Sequence, residues 1–134
     1  MSASPAASPV AVLAVIGLGA VLGAWLRYVL AVWLNAQGWL PFGTLLANAM
    51  GGLLVGVTLG WSAAQPDLSP LIRLFLVTGF LGALTTFSTF SAEVVGLMMA
   101  EYWARAGLVV LLHLGTSLTL TWVGFALVRL LAGR

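Results

Sequence analysis

Four long apolar stretches take up most of this chain, and they constrain its fold more than any other feature. They run over about residues 10–33, 40–62, 71–100 and 107–131. Each is long enough to cross a hydrocarbon core of about 30 Å as a helix, and none alternates as the strands of a barrel do. Only 6% of the 134 residues are charged, which is too little polar surface for a soluble domain. We therefore predict an all-α, multi-pass membrane protein.

The charged residues determine the orientation of the helices only weakly. The five basic residues are all arginines, and no basic patch indicates a nucleic acid partner. If the N-terminus is cytoplasmic, Arg73, Arg129 and Arg134 lie near the inner face, while Arg27 and Arg105 lie toward the outer one. Three against two is a weak positive-inside signal. Two interpretations stay open: a fixed topology, or insertion in both orientations with antiparallel pairing of opposite copies.

Small and polar residues recur every fourth position on three segments, which places them on one face of each helix. Glycines spaced in this way let helix backbones approach closely in lipid. An amide near the middle of a span, such as that of Asn48, needs a partner, which is either a neighbouring helix or a ligand. The stripes are Gly19, Gly23 and Arg27; Thr44, Asn48, Gly52, Gly56 and Gly60; and His113, Ser117 and Thr121.

Two ionisable residues in these stripes have more than one interpretation. Arg27 either extends its long side chain to the membrane interface or attracts anions into a cavity. His113 is the only histidine, and no second imidazole or acid stands at ligand spacing from it. We expect His113 to be packed and hydrogen-bonded rather than to bind a metal.

The third segment differs from the others because hydroxyl-bearing residues interrupt it. Between Gly79 and Glu93 the chain reads GFLGALTTFSTFSAE. A continuous helix over residues 71–100 would extend about 45 Å, longer than one hydrocarbon core. The length predicts a strong tilt or a break, and a break is tolerated where freed backbone groups line a cavity or bind an ion. We place the candidate break at Gly82 to Thr85, within about residues 82–86.

Phe87 and Phe90 project to one side if the helix resumes after the break. Most phenylalanines in membrane helices only pack. The edge of an aromatic ring is nevertheless the positive end of its quadrupole, so two inward edges would attract a small anion. Hydroxyls and the Asn48 amide would supply hydrogen-bond donors in place of the anion's water. From these residues alone, packing and an anion path both stay open.

The third-segment motif, together with GLGAVLGAWLRY in the first segment and PFGTLLANAMGG in the second, resembles the Fluc (CrcB) family of fluoride channels. The resemblance extends over essentially the whole chain. It implies a dual-topology homodimer of antiparallel subunits in the cell (inner) membrane, with two pores that export fluoride passively and lower its toxicity. It also implies a structural sodium ion at the dimer centre and no enzymatic activity.

The resemblance further implies roles for individual residues. The backbone carbonyls of Gly82 and Thr85 would hold the sodium ion, and Arg27 and Glu93 would belong to the vestibule. Two positions depart from the family pattern: His113 stands where another hydroxyl is expected, and Ala83 replaces a glycine. The positions that match the fluoride pore are Asn48, Thr86, Phe87, Ser88, Phe90 and Ser117.

A small multidrug exporter is the main alternative, since it is also a four-helix, dual-topology dimer. Proton-coupled export of cationic drugs requires an acid in the first helix, but that segment contains Arg27 and no acid. An intramembrane enzyme lacks an assembled nucleophile, base and orienting acid. A purely structural subunit would account for the glycines but not for the hydroxyl-rich interruption.

Overall fold

The chain folds into four membrane-length spans joined by short connections. A computed structural model describes residues 8–64 and 69–133, and within these ranges no strand occurs. All four spans are long and apolar enough to cross a membrane, so the chain is a multi-pass membrane protein. The helices are α1 (Pro9–Leu34), α2 (Phe42–Ala64), α3 (Pro70–Arg73), a π-helical stretch (Leu74–Leu81), α4 (Gly82–Leu84), α5 (Phe87–Met99) and α6 (Trp103–Leu131).

The predicted spans agree with these helices except at the start of α6. The fourth span was predicted to begin at about residue 107, whereas α6 begins at Trp103. The Arg105 guanidinium lies 4.7 Å from the centre of the Tyr102 ring and 5.4 Å from that of Trp39, so a cation–π contact holds it at the helix start. Arg134, used above in the topology count, lies outside the described residues.

The glycine stripe of α2 packs against the hydroxyl stripe of α6. A Cβ atom on Gly56 would overlap with the carbonyl oxygen of Thr121, so only glycine permits this approach. The Thr121 hydroxyl donates to the Gly52 carbonyl at 3.0 Å and to the Ser117 carbonyl at 2.8 Å. The two stripes seen in the sequence therefore meet and bring their polar residues to one place.

The stripe of α1 packs against the first half of the third span in the same way. A Cβ atom on Gly23 would overlap with the backbone of Phe80, and one on Gly19 would overlap with that of Phe75. This part of the third span is π-helical over Leu74–Leu81, a geometry that often accompanies functional sites. α1 thereby fixes the position of the segment that leads into the break.

The third span breaks at Thr85 and Thr86, near its middle. Both residues have extended backbones, with φ and ψ of −78° and 148° at Thr85 and −148° and 112° at Thr86. Gly82 is helical, with φ −63° and ψ −30°. The predicted interruption is confirmed, and it lies within the predicted range of residues 82–86. Within this range the β-branched threonines leave the helix, whereas Gly82 stays helical. The Thr86 hydroxyl then caps α5 by accepting from the Thr89 amide at 3.1 Å.

Candidate functional site

The break removes the helical donors from several backbone carbonyls. In an unbroken helix the Thr86 amide would donate to the Gly82 carbonyl, and the Thr89 amide would donate to the Thr85 carbonyl. Here the Thr86 amide donates to Asn48 Oδ1 at 2.7 Å, and the Thr89 amide donates to Thr86 Oγ1. The Gly82 and Thr85 carbonyls, both expected to hold sodium, are thus two of the oxygens that the break sets free.

Asn48 connects α2 to the break through both ends of its amide. Its Oδ1 accepts from the Thr86 amide, and its Nδ2 donates to the Thr86 carbonyl at 3.2 Å. An amide nitrogen carries two hydrogens, so this arrangement occupies one and leaves the second for another acceptor. The structure gives Asn48 the interhelical role considered above, and the second hydrogen keeps a ligand contact within its capacity.

Arg27 lies against the break and not at the end of its helix. Its Nε donates to the carbonyl of Ala83 at 3.0 Å, and the side chain is half-buried. That carbonyl would accept from the Phe87 amide if the helix continued. Arg27 therefore satisfies a third backbone oxygen released by the break, and in this structure it does not reach for the membrane interface.

A cavity of about 290 Å³ opens beside the break, between α2, α5 and α6. It combines a side-chain amide, hydroxyls and aromatic rings, and no acidic residue lines it. Six of the residues singled out from the sequence come together here, which a chance placement along three spans would not produce. They are Asn48, Thr85, Thr86, Phe87, Phe90 and Ser117.

The two phenylalanines form an edge-to-face pair at the mouth of this cavity. Their ring centres lie 5.5 Å apart with 60° between the planes. Phe90 is buried at 7% exposure, whereas Phe87 is 75% exposed. The Phe90 ring is thus packed inside the chain, whereas the Phe87 ring lies exposed on its surface.

His113 and Thr121 also line the cavity, although only Ser117 of their stripe was selected from the sequence. The spacing of four residues already placed all three on one face of α6. His113 packs on Phe90, with ring centres 4.8 Å apart and planes inclined by 33°. The departure from the expected hydroxyl at this position is therefore a change within the cavity itself.

The hydroxyls of Thr86 and Ser88 differ in their position from the other groups predicted to form the pore. The Thr86 hydroxyl donates to Thr89 Oγ1 at 2.9 Å, so its own hydrogen is used at the start of α5. Ser88 is exposed, lies 3.3 Å from the Thr86 hydroxyl and does not line the cavity. Thr86 therefore lines the cavity with its hydroxyl hydrogen already used, whereas Ser88 is not part of the lining.

Glu93 belongs to a separate polar cluster near the start of α2. The Thr44 hydroxyl donates to Glu93 and accepts from Asn35 Nδ2 at 3.1 Å. Glu93 lines a second cavity, of about 320 Å³, together with Asn35 and Trp39. Its second carboxylate oxygen is buried with no hydrogen-bond partner in the described part of the chain. Glu93 and Arg27, predicted as vestibule residues, therefore lie in different surroundings.

Comparison with known proteins places this arrangement in a family. Residues 14–125, which include the break and every residue that lines the first cavity, match the family model described as CrcB-like protein, Camphor Resistance (CrcB). The chain belongs to the CrcB family. The alternative of a small multidrug exporter is not supported by this match.

Several relatives of this CrcB-family chain are named Fluoride-specific ion channel FluC. The relative from Bordetella pertussis is 53% identical over 116 residues, which cover 87% of this chain and 90% of that relative. The relative from Cupriavidus necator is 53% identical over 118 residues, covering 87% and 94%. The relative from Aromatoleum aromaticum is 50% identical over 112 residues, covering 83% and 86%.

Proposed function

We propose that this CrcB-family chain is a fluoride-selective ion channel, through which fluoride leaves the cell passively and its cytoplasmic toxicity is lowered. The observation that carries the proposal is the cavity beside the break, where amide, hydroxyl and ring-edge groups converge without an acid. The relatives named as fluoride-specific channels support the same conclusion, since they share about half of their residues with this chain.

The groups of the cavity favour a small anion over a cation. The second Asn48 hydrogen and the Ser117 hydroxyl are donors, and the ring edges of Phe87 and Phe90 carry positive partial charge. The N-terminus of α5, at Thr86, adds the positive end of a helix dipole. These partial charges would attract fluoride without the fixed charge that would hold it too strongly to conduct.

The face that bears the break requires a partner in the membrane. Phe87 is 75% exposed, Gly82 is exposed, and the Gly82 and Thr85 carbonyls lack their helical donors. An unsatisfied backbone group in hydrocarbon costs several kcal/mol. A second, antiparallel copy would cover this face with the same motif. The homodimer would then have two pores, and the weak arginine bias is compatible with insertion in both orientations.

The freed carbonyls of Gly82 and Thr85 suit a sodium ion at the centre of this dimer. Sodium binds oxygen ligands, and unwound carbonyls at the C-terminal ends of half-helices are a known setting for it in membrane proteins. The ion would supply positive charge to backbone oxygens that two apposed breaks would otherwise leave unpaired. Its role in the proposal is structural, whereas fluoride is the ion conducted.

Fluoride efflux from liposomes tests the proposed function. Purified protein in liposomes loaded with potassium fluoride should release fluoride to an external electrode once valinomycin lets potassium follow, and no pH gradient should be needed. Liposomes loaded with chloride should release far less. Absence of fluoride efflux would contradict the proposal, and equal chloride efflux would contradict its selectivity.

A further inference from the structure

His113 lines the cavity and has an unsatisfied ring nitrogen. The residue is 3% exposed, and its Nδ1 lies 3.0 Å from the carbonyl oxygen of Val109. Its Nε2 is buried and has no hydrogen-bond partner within the described residues. A buried polar atom without a partner costs free energy, so this nitrogen calls for a ligand that the subunit itself does not provide.

The contact with Val109 determines which ring nitrogen carries the hydrogen. A carbonyl oxygen only accepts, so Nδ1 must donate to it, and the neutral ring therefore has a bare lone pair on Nε2. A lone pair at the cavity wall repels an anion. One added proton converts Nε2 into a donor with a positive charge, which attracts the anion instead.

His113 is the one titratable residue that lines this cavity in the described chain. α2 contains no titratable residue, and the only one in α5 is Glu93, whose carboxylate is bonded to Thr44 and lines the other cavity. On α6 itself, Arg105 and Arg129 lie over aromatic rings near the two helix ends. Arg27 of α1 is bonded to the Ala83 carbonyl. No other side chain of the described cavity wall can therefore gain a charge when an anion enters.

We propose that His113 couples fluoride binding in this cavity to the uptake of one proton. The inference rests on the proposed function and names a regulation of the same site. A proton from water binds Nε2 as fluoride enters, so an imidazolium and a fluoride ion replace a neutral ring and an unpaired nitrogen. The pair is neutral as a whole, and in a medium of low dielectric constant a compensated charge is much less costly than a lone anion.

Coupling of this kind makes fluoride affinity depend on pH. By reciprocity, if fluoride favours the protonated ring, then protonation favours fluoride to the same extent. In the range where the free ring is neutral, the dissociation constant should rise about tenfold per pH unit, and it should level off once the ring is protonated before fluoride binds. Fluoride should remain bound longer at low pH.

Two variants separate the effect of protonating His113 from the effect of its packing. His113→Asn keeps a nitrogen donor near the Val109 carbonyl but has no titratable group, and His113→Ser restores the hydroxyl expected from the family pattern. Fluoride binding to the purified protein would be measured by calorimetry over about pH 5 to 8, the range in which imidazoles titrate. Repeating each titration in two buffers of different ionisation enthalpy gives the number of protons taken up.

The unchanged protein should take up close to one proton per bound fluoride at the upper end of this range. Both variants should bind fluoride with an affinity independent of pH and without proton uptake. Binding to the unchanged protein without proton uptake, or an equal pH dependence in His113→Asn, would overturn the inference while leaving the channel proposal intact. Absence of fluoride binding at every pH in all three proteins would overturn the proposed function and this inference with it.

Discussion

The Asn48 side chain and the Thr86 backbone are joined by two hydrogen bonds, one in each direction. Oδ1 accepts from the Thr86 amide at 2.7 Å, and Nδ2 donates to the Thr86 carbonyl at 3.2 Å. The bond to Oδ1 replaces the one that the Thr86 amide would have made in a helix, and the bond from Nδ2 adds a second donor to the Thr86 carbonyl. It also joins α2 to the third span at the place where the Gly82 carbonyl loses its donor.

Asn48→Leu should destabilise the protein and reduce fluoride flux. The substitution leaves the Thr86 amide unpaired in the membrane, which we expect to lower the free energy of unfolding by about 1–3 kcal/mol. Flux should fall because the break loses its position and the cavity loses a donor. Unfolding in mixed micelles and fluoride efflux from liposomes measure the two effects.

Thr58→Val is the matched control for this substitution, since it removes a buried polar group from the same helix. The Thr58 hydroxyl donates to the Leu54 carbonyl within α2 and does not contact the break. This variant should retain stability and flux. An Asn48→Leu protein as stable and as conductive as Thr58→Val would show that the two bonds to Thr86 do not hold the break.

Arg27→Leu should impair the break from the opposite side. The guanidinium donates to the Ala83 carbonyl, and a hydrogen bond to a charged group contributes about 1.5–3 kcal/mol. We expect lower thermal stability of the purified protein and a reduced fluoride flux, because the break loses a bond that holds it in position. Arg105→Leu removes an arginine that lies over the Tyr102 ring, away from the break, and should conduct normally. Equal flux in both variants would contradict a role for Arg27 at the break.

The sequence predicted the break and its approximate range because these signals are local, but it did not show which residues of that range leave the helix. Hydroxyl-bearing residues in a span too long for one hydrocarbon core are visible in GFLGALTTFSTFSAE. The position is set by Asn48, which lies 38 residues from Thr86 in the chain and selects the extended conformation by bonding its backbone. A glycine permits a break without requiring one, so Gly82 stays helical.

The cavity was predictable to a similar extent. Spacing by four residues placed His113, Ser117 and Thr121 on one face of α6, and the structure shows that this face meets α2. The π-helical geometry of Leu74–Leu81 leaves no signal in the sequence, because this mostly apolar stretch suits either helical form. The contact of Arg27 with Ala83 also depends on the packing of α1 against the third span, which no local pattern specifies.

Phe87→Ile and Phe90→Ile should both reduce fluoride flux but differ in their effect on stability. Isoleucine is apolar and has no ring edge, so the attraction for an anion is lost in each variant. Phe87 is 75% exposed in the subunit, and its replacement should leave the fold unchanged. Phe90 is buried, and its replacement should cost about 1–2 kcal/mol of packing.

Phe42→Ile is the control for these two variants. Phe42 is also a partly exposed phenylalanine in a span, at 53%, but it does not line the cavity beside the break. Its replacement should not change fluoride efflux. If Phe87→Ile and Phe90→Ile conduct as well as Phe42→Ile, the ring edges have no part in fluoride conduction.

Replacement of sodium by potassium should destabilise the proposed dimer. An ion that binds only the folded state stabilises it by about 2.7 kcal/mol when present at 100 times its dissociation constant, so the effect should scale with sodium concentration. Thermal unfolding or subunit exchange in sodium and potassium buffers measures it.

The Thr85→Val variant then identifies the ligand atom. The Thr85 hydroxyl donates to the Leu81 carbonyl at 2.8 Å, whereas the Thr85 carbonyl is the oxygen released by the break. Because the substitution keeps that carbonyl and removes only the hydroxyl, sodium should still stabilise the variant. Loss of the sodium effect in Thr85→Val would instead make the hydroxyl the ligand and contradict a site built from backbone oxygens.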